Sequence, residues 1–342
     1  MTDSFGFVRD NLKKYPESEP QDVVKLLYQS VLGCGHMVSD PQKTLDYLKK
    51  ELDETAFSPN IEPVEDIDGG YSRINLAAIQ SETSLGKLSP ETLNRVFVLS
   101  AEQGTGTVED LKTELLRFCE SGVDGKTVEY IKKYIADGCP MVSHSARYRE
   151  KYAPHYRVVL TKYSNMLPYL IEIDASMASK ENVIVGIDGM SGSGKSTLAF
   201  ELEKIYDCNV FHADDFFLRP EQRTEARLSE VGGNVDYERL KAEIVDNLHK
   251  NQPFSYRKYD CQTATLGEAT AVEPKKLNII EGAYSLHPYF GEIYDVKLLL
   301  TVSPDEQKRR ILSRNGEKML SRFLNEWIPK ENAYFEKFFG IK

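Results

Sequence analysis

A glycine-rich segment that ends in Lys and Ser carries the clearest chemistry in this sequence. It reads GMSGSGKS over residues 189–196 and fits the pattern G-x-x-x-x-G-K-[ST]. In such a loop the backbone N–H groups point inward, where they and the N-terminus of the following helix can hold phosphate oxygens. Lys195 would reach the β- and γ-phosphates, and the Ser196 hydroxyl would ligate Mg²⁺. The residues predicted to contact the nucleotide are Gly189, Ser191, Gly192, Ser193, Gly194, Lys195, Ser196 and Thr197.

Two adjacent acids follow the next apolar run of the chain. They are Asp214 and Asp215, in the segment HADDFF. A carboxylate at the carboxyl end of a strand in a parallel sheet faces the ligand crevice and can accept the proton of an attacking hydroxyl. Asp214 is the predicted base. Asp215 is the alternative, because neighbouring side chains point in different directions.

A third acid, Glu281, ends the apolar run LNII and is followed by Gly282. A carboxylate at this point can hold Mg²⁺ directly or through water, and glycine allows the backbone to turn sharply after it. Glu281 and Ser196 are therefore the predicted metal ligands. The alternative for Glu281 is an ordinary exposed acid at the end of a strand.

Several arginines lie on a helix predicted near the C-terminus. Arg310 and Arg314 are four residues apart and share one helix face. Guanidinium groups there could neutralise charge on a phosphoryl group in transfer, so both are candidate catalytic residues. Solvated surface charge is the alternative.

The elements that must position these residues follow from the apolar pattern. Short runs rich in β-branched residues alternate with helical stretches after residue 182, which predicts an α/β fold with a parallel sheet of the P-loop NTPase type and helices on both faces. The motif Ser303-Pro304-Asp305-Glu306 predicts the start of a helix. The predicted strands are Val183–Asp188, Asn209–Ala213, Leu277–Ile280 and Val296–Val302.

The first half of the chain has a different periodicity. From about residue 22 to 173 the apolar residues recur mostly at three and four positions, which predicts helices throughout, including segments near 41–52, 72–84, 91–103, 108–120 and 126–136. The small, polar stretch 174–182 marks the predicted boundary between a mainly helical domain, 1–178, and the α/β domain, 179–342. Three polar clusters, 33–36, 71–75 and 144–157, either form a second pocket or serve as caps and surface hydrogen bonds.

Composition limits the class of protein. The chain has 342 residues, with 43 Lys and Arg against 53 Asp and Glu, for a net charge of −10. This balance argues against a general nucleic-acid or anionic-membrane binder. The five cysteines form no C-x-x-C pair, and the N-terminus lacks the basic and apolar regions of a secretion signal. We expect a cytoplasmic protein that acts on a small molecule; the oligomeric state is left open.

From about residue 181 onward the sequence resembles the uridine kinase and phosphoribulokinase branch of P-loop kinases, which includes nicotinamide riboside kinase and bacterial pantothenate kinase. The resemblance rests on four ordered segments, GMSGSGKST, HADDFFLRP, NIIEGAY and SPDEQKRRILSR. It implies that Asp214 is the base, that Glu281 is the metal-associated acid, and that the helix with Arg310 and Arg314 is a lid.

The resemblance extends more weakly to the acceptor side. Asp236, in GNVDY, matches a family aspartate that holds substrate hydroxyls, and Tyr256 and Tyr259, in YRKYD, match a stretch that contributes an aromatic ring to the nucleobase pocket. Packing in the core is the alternative for both tyrosines. Uridine kinases place a histidine shortly after this stretch, where this chain has Cys261 to Thr265.

These observations together predict an ATP- and Mg²⁺-dependent kinase that phosphorylates a hydroxyl of a small molecule, most simply a nucleoside. The rival hypothesis is an ATP-driven switch or regulatory ATPase that acts through the N-terminal helical half. The motif around Asp214 argues against this rival, because a switch has no need of a base for an acceptor.

Overall fold

The computed structural model describes residues 5–58, 60–79 and 88–341. The chain divides into two compact units, Met1–Ala175 and Ser176–Lys342. The stretch 174–182 is not simply a loop, because the helix Leu167–Ser179 runs through this division. Independent domains 1–178 and 179–342 stay a prediction. In the described part of the chain, no helix combines the length and apolar character that crossing a membrane requires.

The first unit is mainly helical, as predicted. The helices predicted near 91–103, 108–120 and 126–136 are confirmed, and Ser89 caps the first of them by accepting a hydrogen bond from the Thr92 N–H at 3.1 Å. The helices of this unit are α1 (Gly6–Lys14), α2 (Pro20–Leu32), α3 (Pro41–Glu54), α4 (Pro90–Gln103), α5 (Val108–Cys119), α6 (Gly125–Ala136), α7 (Ala146–Tyr152), α8 (Thr161–Ser164) and α9 (Leu167–Ser179).

A three-stranded antiparallel sheet interrupts these helices, and the prediction of helix throughout was wrong here. Strand β1 (Val64–Asp66) pairs with β2 (Tyr71–Asn75), which also pairs with β3 (Tyr156–Leu160). The turn between β1 and β2 contains Asp68 and two glycines, all at positive φ, and this turn reverses the chain where a helix near 72–84 was expected. Residues 80–84 of that predicted helix lie outside the described residues.

The second unit is built on a parallel sheet, and the predicted fold class is confirmed. The strands are β4 (Val183–Gly189), β5 (Cys208–His212), β8 (Leu277–Glu281) and β9 (Val296–Leu300), in the order β5-β8-β4-β9. Each corresponds to a predicted strand. Ile184, Phe211 and Ile280 of three neighbouring strands share one buried apolar cluster with aromatic residues from the C-terminal helix.

Helices and one hairpin surround this sheet. The antiparallel hairpin of β6 (Phe254–Asp260) and β7 (Thr265–Val272) is not among the predicted strands. The predicted helix start at Ser303 is confirmed, and α14 contains a break at Gly316, whose φ is 75°. The helices are α10 (Lys195–Ile205), α11 (Glu225–Ser229), α12 (Tyr237–Leu240), α13 (Asp246–Leu248), α14 (Pro304–Arg322) and α15 (Ile328–Phe339).

Candidate active site

The carboxyl ends of the parallel strands meet at one edge of the sheet. The register pairs Glu281 with Ile187 and with His212, and Gly189 with Leu300. Gly189 has a φ of 153°, and a Cβ there would lie 2.2 Å from the Leu300 carbonyl oxygen. Only glycine therefore fits at the point where the chain leaves the sheet and enters the phosphate loop, residues 189–196.

The phosphate loop is shaped around its lysine. Lys195 Nζ donates to the carbonyl oxygens of Gly189 and Met190 at 2.8 and 3.1 Å. Gly192 and Gly194 have φ values of 73° and 103°, and Lys195 is the first residue of α10. The first N–H groups of a helix have no intrahelical acceptor and carry partial positive charge. The N-terminus of α10, with Ser196 and Thr197 in its first turn, thus provides an anion-binding end.

Two serines of the loop differ in what they can offer a ligand. The Ser193 hydroxyl oxygen is buried and lacks a hydrogen-bond partner among the described residues. Ser191 is engaged, since its N–H donates to Glu331 Oε2 at 2.8 Å and its hydroxyl donates to the other oxygen of Glu331. A buried, unpartnered hydroxyl inside a cradle of N–H groups fits a loop that receives an anion.

Glu281 lies beside the loop, 3 % exposed. The Ser196 hydroxyl donates to Glu281 Oε2 at 3.2 Å, so the two predicted metal ligands are neighbours. His212 Nδ1 lies 2.5 Å from Glu281 Oε1, and this hydrogen bond raises the pKa of the imidazole. The prediction did not include His212, although its position at the end of β5 was visible in the sequence.

Asp214 and Asp215 lie in a short 3₁₀ turn, Ala213–Phe216, directly after β5. Asp215 Oδ2 is 3.0 Å from Lys258 Nζ. Asp214 has no hydrogen bond or ion pair with any other described residue, and it is exposed to solvent. Desolvation by the surrounding atoms, together with the negative charge of Glu281, raises the pKa of Asp214, while Lys195 and His212 oppose the rise.

The two candidate arginines of α14 differ in their contacts. Arg310 Nη1 donates to the Gly192 carbonyl oxygen of the phosphate loop at 3.0 Å, and its Nε donates to Glu306 at 2.7 Å. Arg314 Nε donates to the Asn315 side chain at 2.8 Å and has no contact with the loop. Arg310 therefore lies at the site, whereas Arg314 is two residues from the break at Gly316.

The predicted acceptor residues are engaged within the fold. Asp236 is 2 % exposed, accepts a hydrogen bond from the Arg239 N–H as the cap of α12, and accepts another from Gln222. The buried ring of Tyr256 stacks on Phe216 with centroids 6.0 Å apart. Tyr259 is also buried, with Arg223 donating to its hydroxyl at 3.4 Å. Roles for these residues in binding an acceptor stay predictions.

Sequence reasoning missed a group of residues that support the loop from other elements. Asp188 is fully buried and accepts hydrogen bonds from the N–H groups of Gly189, Tyr284 and Leu286 and from the Tyr334 hydroxyl. Burial raises the pKa of Asp188 to about 6, although hydrogen bonds from Leu286, Tyr334 and Gly189 favour its ionised form. An acid directly before the glycine-rich segment was a signal for Asp188, but no motif identifies Tyr334 or Glu331.

In the first unit, two of the three polar clusters converge. His144 Nδ1 is 2.8 Å from Asp22 and its Nε2 is 2.6 Å from the Tyr156 hydroxyl. Arg73, 1 % exposed, donates to Gln29 and lies over the Tyr156 ring. The third cluster adjoins Tyr71, since a Cβ at Gly33 would lie 2.3 Å from the Tyr71 ring, and Cys34 donates to the Phe97 carbonyl oxygen. The converging groups satisfy one another, as expected of a structural network.

Comparison with known proteins concerns the second unit. No family model matches the chain. Uridine kinase of Clostridium perfringens is 26% identical over 173 residues, which cover 46% of this chain and 83% of that protein. Nicotinamide riboside kinase 1 of Homo sapiens is 30% identical over 134 residues, 38% of this chain and 64% of that protein. The C-terminal half is similar to uridine kinase-like P-loop kinases.

Among solved structures, a possible uridine kinase from Bacillus stearothermophilus matches 49% of this chain and 96% of its own, with a TM-score of 0.36 and 21% identity. The similarity to uridine kinase-like P-loop kinases covers the part of the chain that contains the phosphate loop, Asp214 and Glu281.

Proposed function

We propose that the second unit transfers the γ-phosphoryl group of ATP to a hydroxyl of a small molecule, most simply a nucleoside. One observation carries this proposal. Asp214, which has no partner among the described residues, lies close enough to Lys195 and Glu281 for their charges to shift its pKa, at the edge of the sheet where the phosphate loop begins. A binding site for phosphate and a free carboxylate beside it are what transfer to an acceptor hydroxyl requires.

The donor set fits a nucleotide with Mg²⁺. The N–H groups at the start of α10 and the unpartnered Ser193 hydroxyl suit phosphate oxygens, and the adjacent oxygens of Ser196 and Glu281 are the hard ligands that Mg²⁺ prefers. Ser196 and Glu281 would hold the ion. Mg²⁺ supplies positive charge that stabilises the phosphate oxygens during transfer.

Asp214 is the proposed base. Its raised pKa makes the carboxylate a better proton acceptor than an exposed aspartate, and the charge of Lys195 opposes the rise. The carboxylate orients the acceptor hydroxyl and accepts its proton as the oxygen attacks phosphorus. Asp215 is less suited to this role because Lys258 is already paired with it.

Cationic groups would stabilise the charge on the phosphoryl group as it moves. Lys195 belongs to the loop itself, and Arg310 already contacts the Gly192 carbonyl oxygen. Arg314 is the second candidate, one turn further along the same helix, where its Nε donates to the Asn315 side chain. Closure of this helix would also exclude water that would otherwise hydrolyse ATP.

We propose that the acceptor lies on the side of Asp214 formed by Asp236, Tyr256 and Tyr259. Asp236 already accepts hydrogen bonds from Gln222 and from the Arg239 N–H, and both Asp236 and the tyrosine rings are buried. The similarity to uridine and nicotinamide riboside kinases supports a nucleoside or a related polyol. A cytoplasmic location belongs to the same proposal.

The rival function, an ATP-driven switch or regulatory ATPase, has weaker support. A switch needs the phosphate loop and the metal ligands but not an unpartnered carboxylate beside them. The similarity to small-molecule kinases does not favour it either.

The substitution Asp214→Asn tests the proposal directly. The amide cannot accept the proton, so phosphoryl transfer should fall at least about 100-fold, while the affinity for ATP should change less than about threefold. Transfer is measured by mass spectrometry of products from a panel of nucleosides, vitamins and sugars. Asp215→Asn is the matched control and should retain most of the activity.

Two outcomes would contradict the proposal. Undiminished transfer by Asp214→Asn would place the base elsewhere. ATP hydrolysis that no acceptor in the panel stimulates, with no phosphorylated product, would favour the switch.

A further inference from the structure

The C-terminal helix α15 contributes a carboxylate to the phosphate loop. Glu331 is 4 % exposed and takes both donors of Ser191, the backbone N–H at 2.8 Å and the side-chain hydroxyl. The two residues are 140 positions apart in the chain. Such a pair is not a local turn contact, so the packing of α15 against the sheet must place it.

The same serine is held from a second direction. Gln307 of α14, 6 % exposed, donates from Nε2 to the Ser191 carbonyl oxygen at 2.9 Å. Ser191 therefore has its N–H, its carbonyl and its hydroxyl all fixed by side chains of the two C-terminal helices. Each of these hydrogen bonds restricts rotation of the peptide units around Ser191, which precede the glycines Gly192 and Gly194.

Glycines give the phosphate loop conformational freedom, and the loop loses entropy when this freedom is restricted. Gly192 and Gly194 both adopt positive φ, and a loop with these residues loses conformational entropy when it settles into one shape around an anion. Fixing Ser191 in advance reduces that loss. The N–H groups at the start of α10 remain available to bind an anion, because Glu331 accepts from Ser191, which lies before this helix in the loop.

The charges around Glu331 fit a permanent structural contact rather than a place for phosphate. Burial raises the pKa of the Glu331 carboxyl, and the hydrogen bonds from Ser191 and the charge of Lys195 oppose the rise. The Glu331 carboxylate accepts two hydrogen bonds from Ser191 and lies near the Lys195 ammonium group, and these are the partners that a buried acid needs. Tyr334, one turn further along α15, adds a second anchor by donating to Asp188 at 2.8 Å.

We propose that Glu331 is a positioning residue for nucleotide binding, which holds the phosphate loop through Ser191 in the shape that receives phosphate. This inference rests on the proposed function, since it presumes that the loop binds ATP. The competing interpretation of the same contact is autoinhibition, in which the carboxylate must leave before phosphate can bind.

The two interpretations predict opposite changes. In the full-length protein, Glu331→Ala should raise the Kd for ATP·Mg²⁺ and ADP·Mg²⁺ at least about tenfold, measured by titration calorimetry. In Glu331→Gln the amide oxygen can still accept from the Ser191 N–H, and the amide NH₂ can donate to the Ser191 hydroxyl oxygen. The Kd of this variant should therefore stay within about threefold of wild type. Asn332→Ala, at an exposed neighbouring position on α15, is the matched control and should not change Kd.

Calorimetry also separates positioning from general damage. A variant that is merely misfolded in part binds with a lower stoichiometry and an unchanged Kd, whereas loss of positioning changes Kd at full stoichiometry. If Glu331→Ala does not fold, Gln307→Ala removes the other side-chain contact to Ser191 and should raise Kd in the same way.

Three further results would contradict the proposal. If wild type binds ATP and Glu331→Ala binds it equally or more tightly, the positioning role is wrong. An effect of Glu331→Gln as large as that of Glu331→Ala would also overturn it, because the hydrogen bonds would not be the cause. If wild type binds neither nucleotide, the proposed kinase function fails together with this inference.

Discussion

Individual buried side chains in this protein set how it responds to pH. In the first unit, the buried His144 has a hydrogen-bond partner at each ring nitrogen. Its Nδ1 lies against the Asp22 carboxylate, which can only accept, and its Nε2 lies against the Tyr156 hydroxyl, which can donate. These partners select the neutral tautomer with hydrogen on Nδ1. Burial then lowers the pKa of His144 to about 4, despite the opposing hydrogen bond to Asp22.

The sign of the resulting pH dependence follows from linkage. The unfolded chain protonates His144 near pH 6.5, while the folded state stays neutral until about pH 4. Protons therefore bind preferentially to the unfolded state between these values, and stability should fall by about 2 kcal/mol between pH 7.5 and 5. Burial would raise the pKa of Asp22, but hydrogen bonds from His144 and Ser145 outweigh burial and lower it to about 2, so its contribution is lost only below about pH 4.

Hydrogen–deuterium exchange of peptides covering α2 and β3, corrected for intrinsic rates, measures this change. His144→Gln cannot titrate, so the variant should be less stable at pH 7.5 but should lose little more at pH 5. Equal losses of protection in wild type and variant would show that other groups cause the acid sensitivity.

At the scale of elements, the turn from β4 into the phosphate loop has a strict steric requirement. A Cβ at Gly189 would lie 2.2 Å from the Leu300 carbonyl oxygen of β9, whereas a Cβ at Gly194 meets nothing within 4 Å. Both residues have positive φ. Gly194→Ala should therefore cost only backbone strain, about 1–2 kcal/mol, while Gly189→Ala should cost at least about 2 kcal/mol more.

Urea denaturation followed by tryptophan fluorescence measures this difference, because the sole tryptophan, Trp327, belongs to the second unit. Equal destabilisation by the two substitutions would mean that β9 can move away from Gly189 at little cost.

The elements also show where sequence patterns stop being informative. Four strands of the parallel sheet were predicted because each is a short apolar run between helical stretches, and two of them, β4 and β8, are buried along their whole length. Most of strand β2 was expected to belong to a helix near 72–84, since the apolar residues of this half of the chain recur mostly at three and four positions. Long-range pairing with β3, from residues 156–160, decides the conformation there, and a local pattern carries no information about that partner.

At the scale of the whole molecule, the division into two units predicts two unfolding events. A nucleotide that binds the second unit stabilises it by mass action, by about 2.7 kcal/mol when its concentration is 100 times Kd. ATP·Mg²⁺ should therefore shift the thermal transition reported by Trp327 upward and leave exchange in α2 and β3 unchanged. Inorganic phosphate at the same concentration is the control and should have a much smaller effect.

A single transition that shifts as a whole would contradict this expectation. It would mean that the two units unfold cooperatively, and the predicted pair of domains, 1–178 and 179–342, would have to be abandoned.

The sequence by itself determined the phosphate loop, the strand that precedes Asp214, the strand that ends in Glu281, and the similarity to uridine kinase-like P-loop kinases. These features depend on residues that are neighbours in the chain, so local spacing is enough to recognise them. Only the tertiary structure decided that Glu331 binds Ser191, that Asp215 pairs with Lys258, and that Asp188 accepts from Tyr334. Such contacts join residues about 40 to 150 positions apart, and packing rather than any local pattern brings them together.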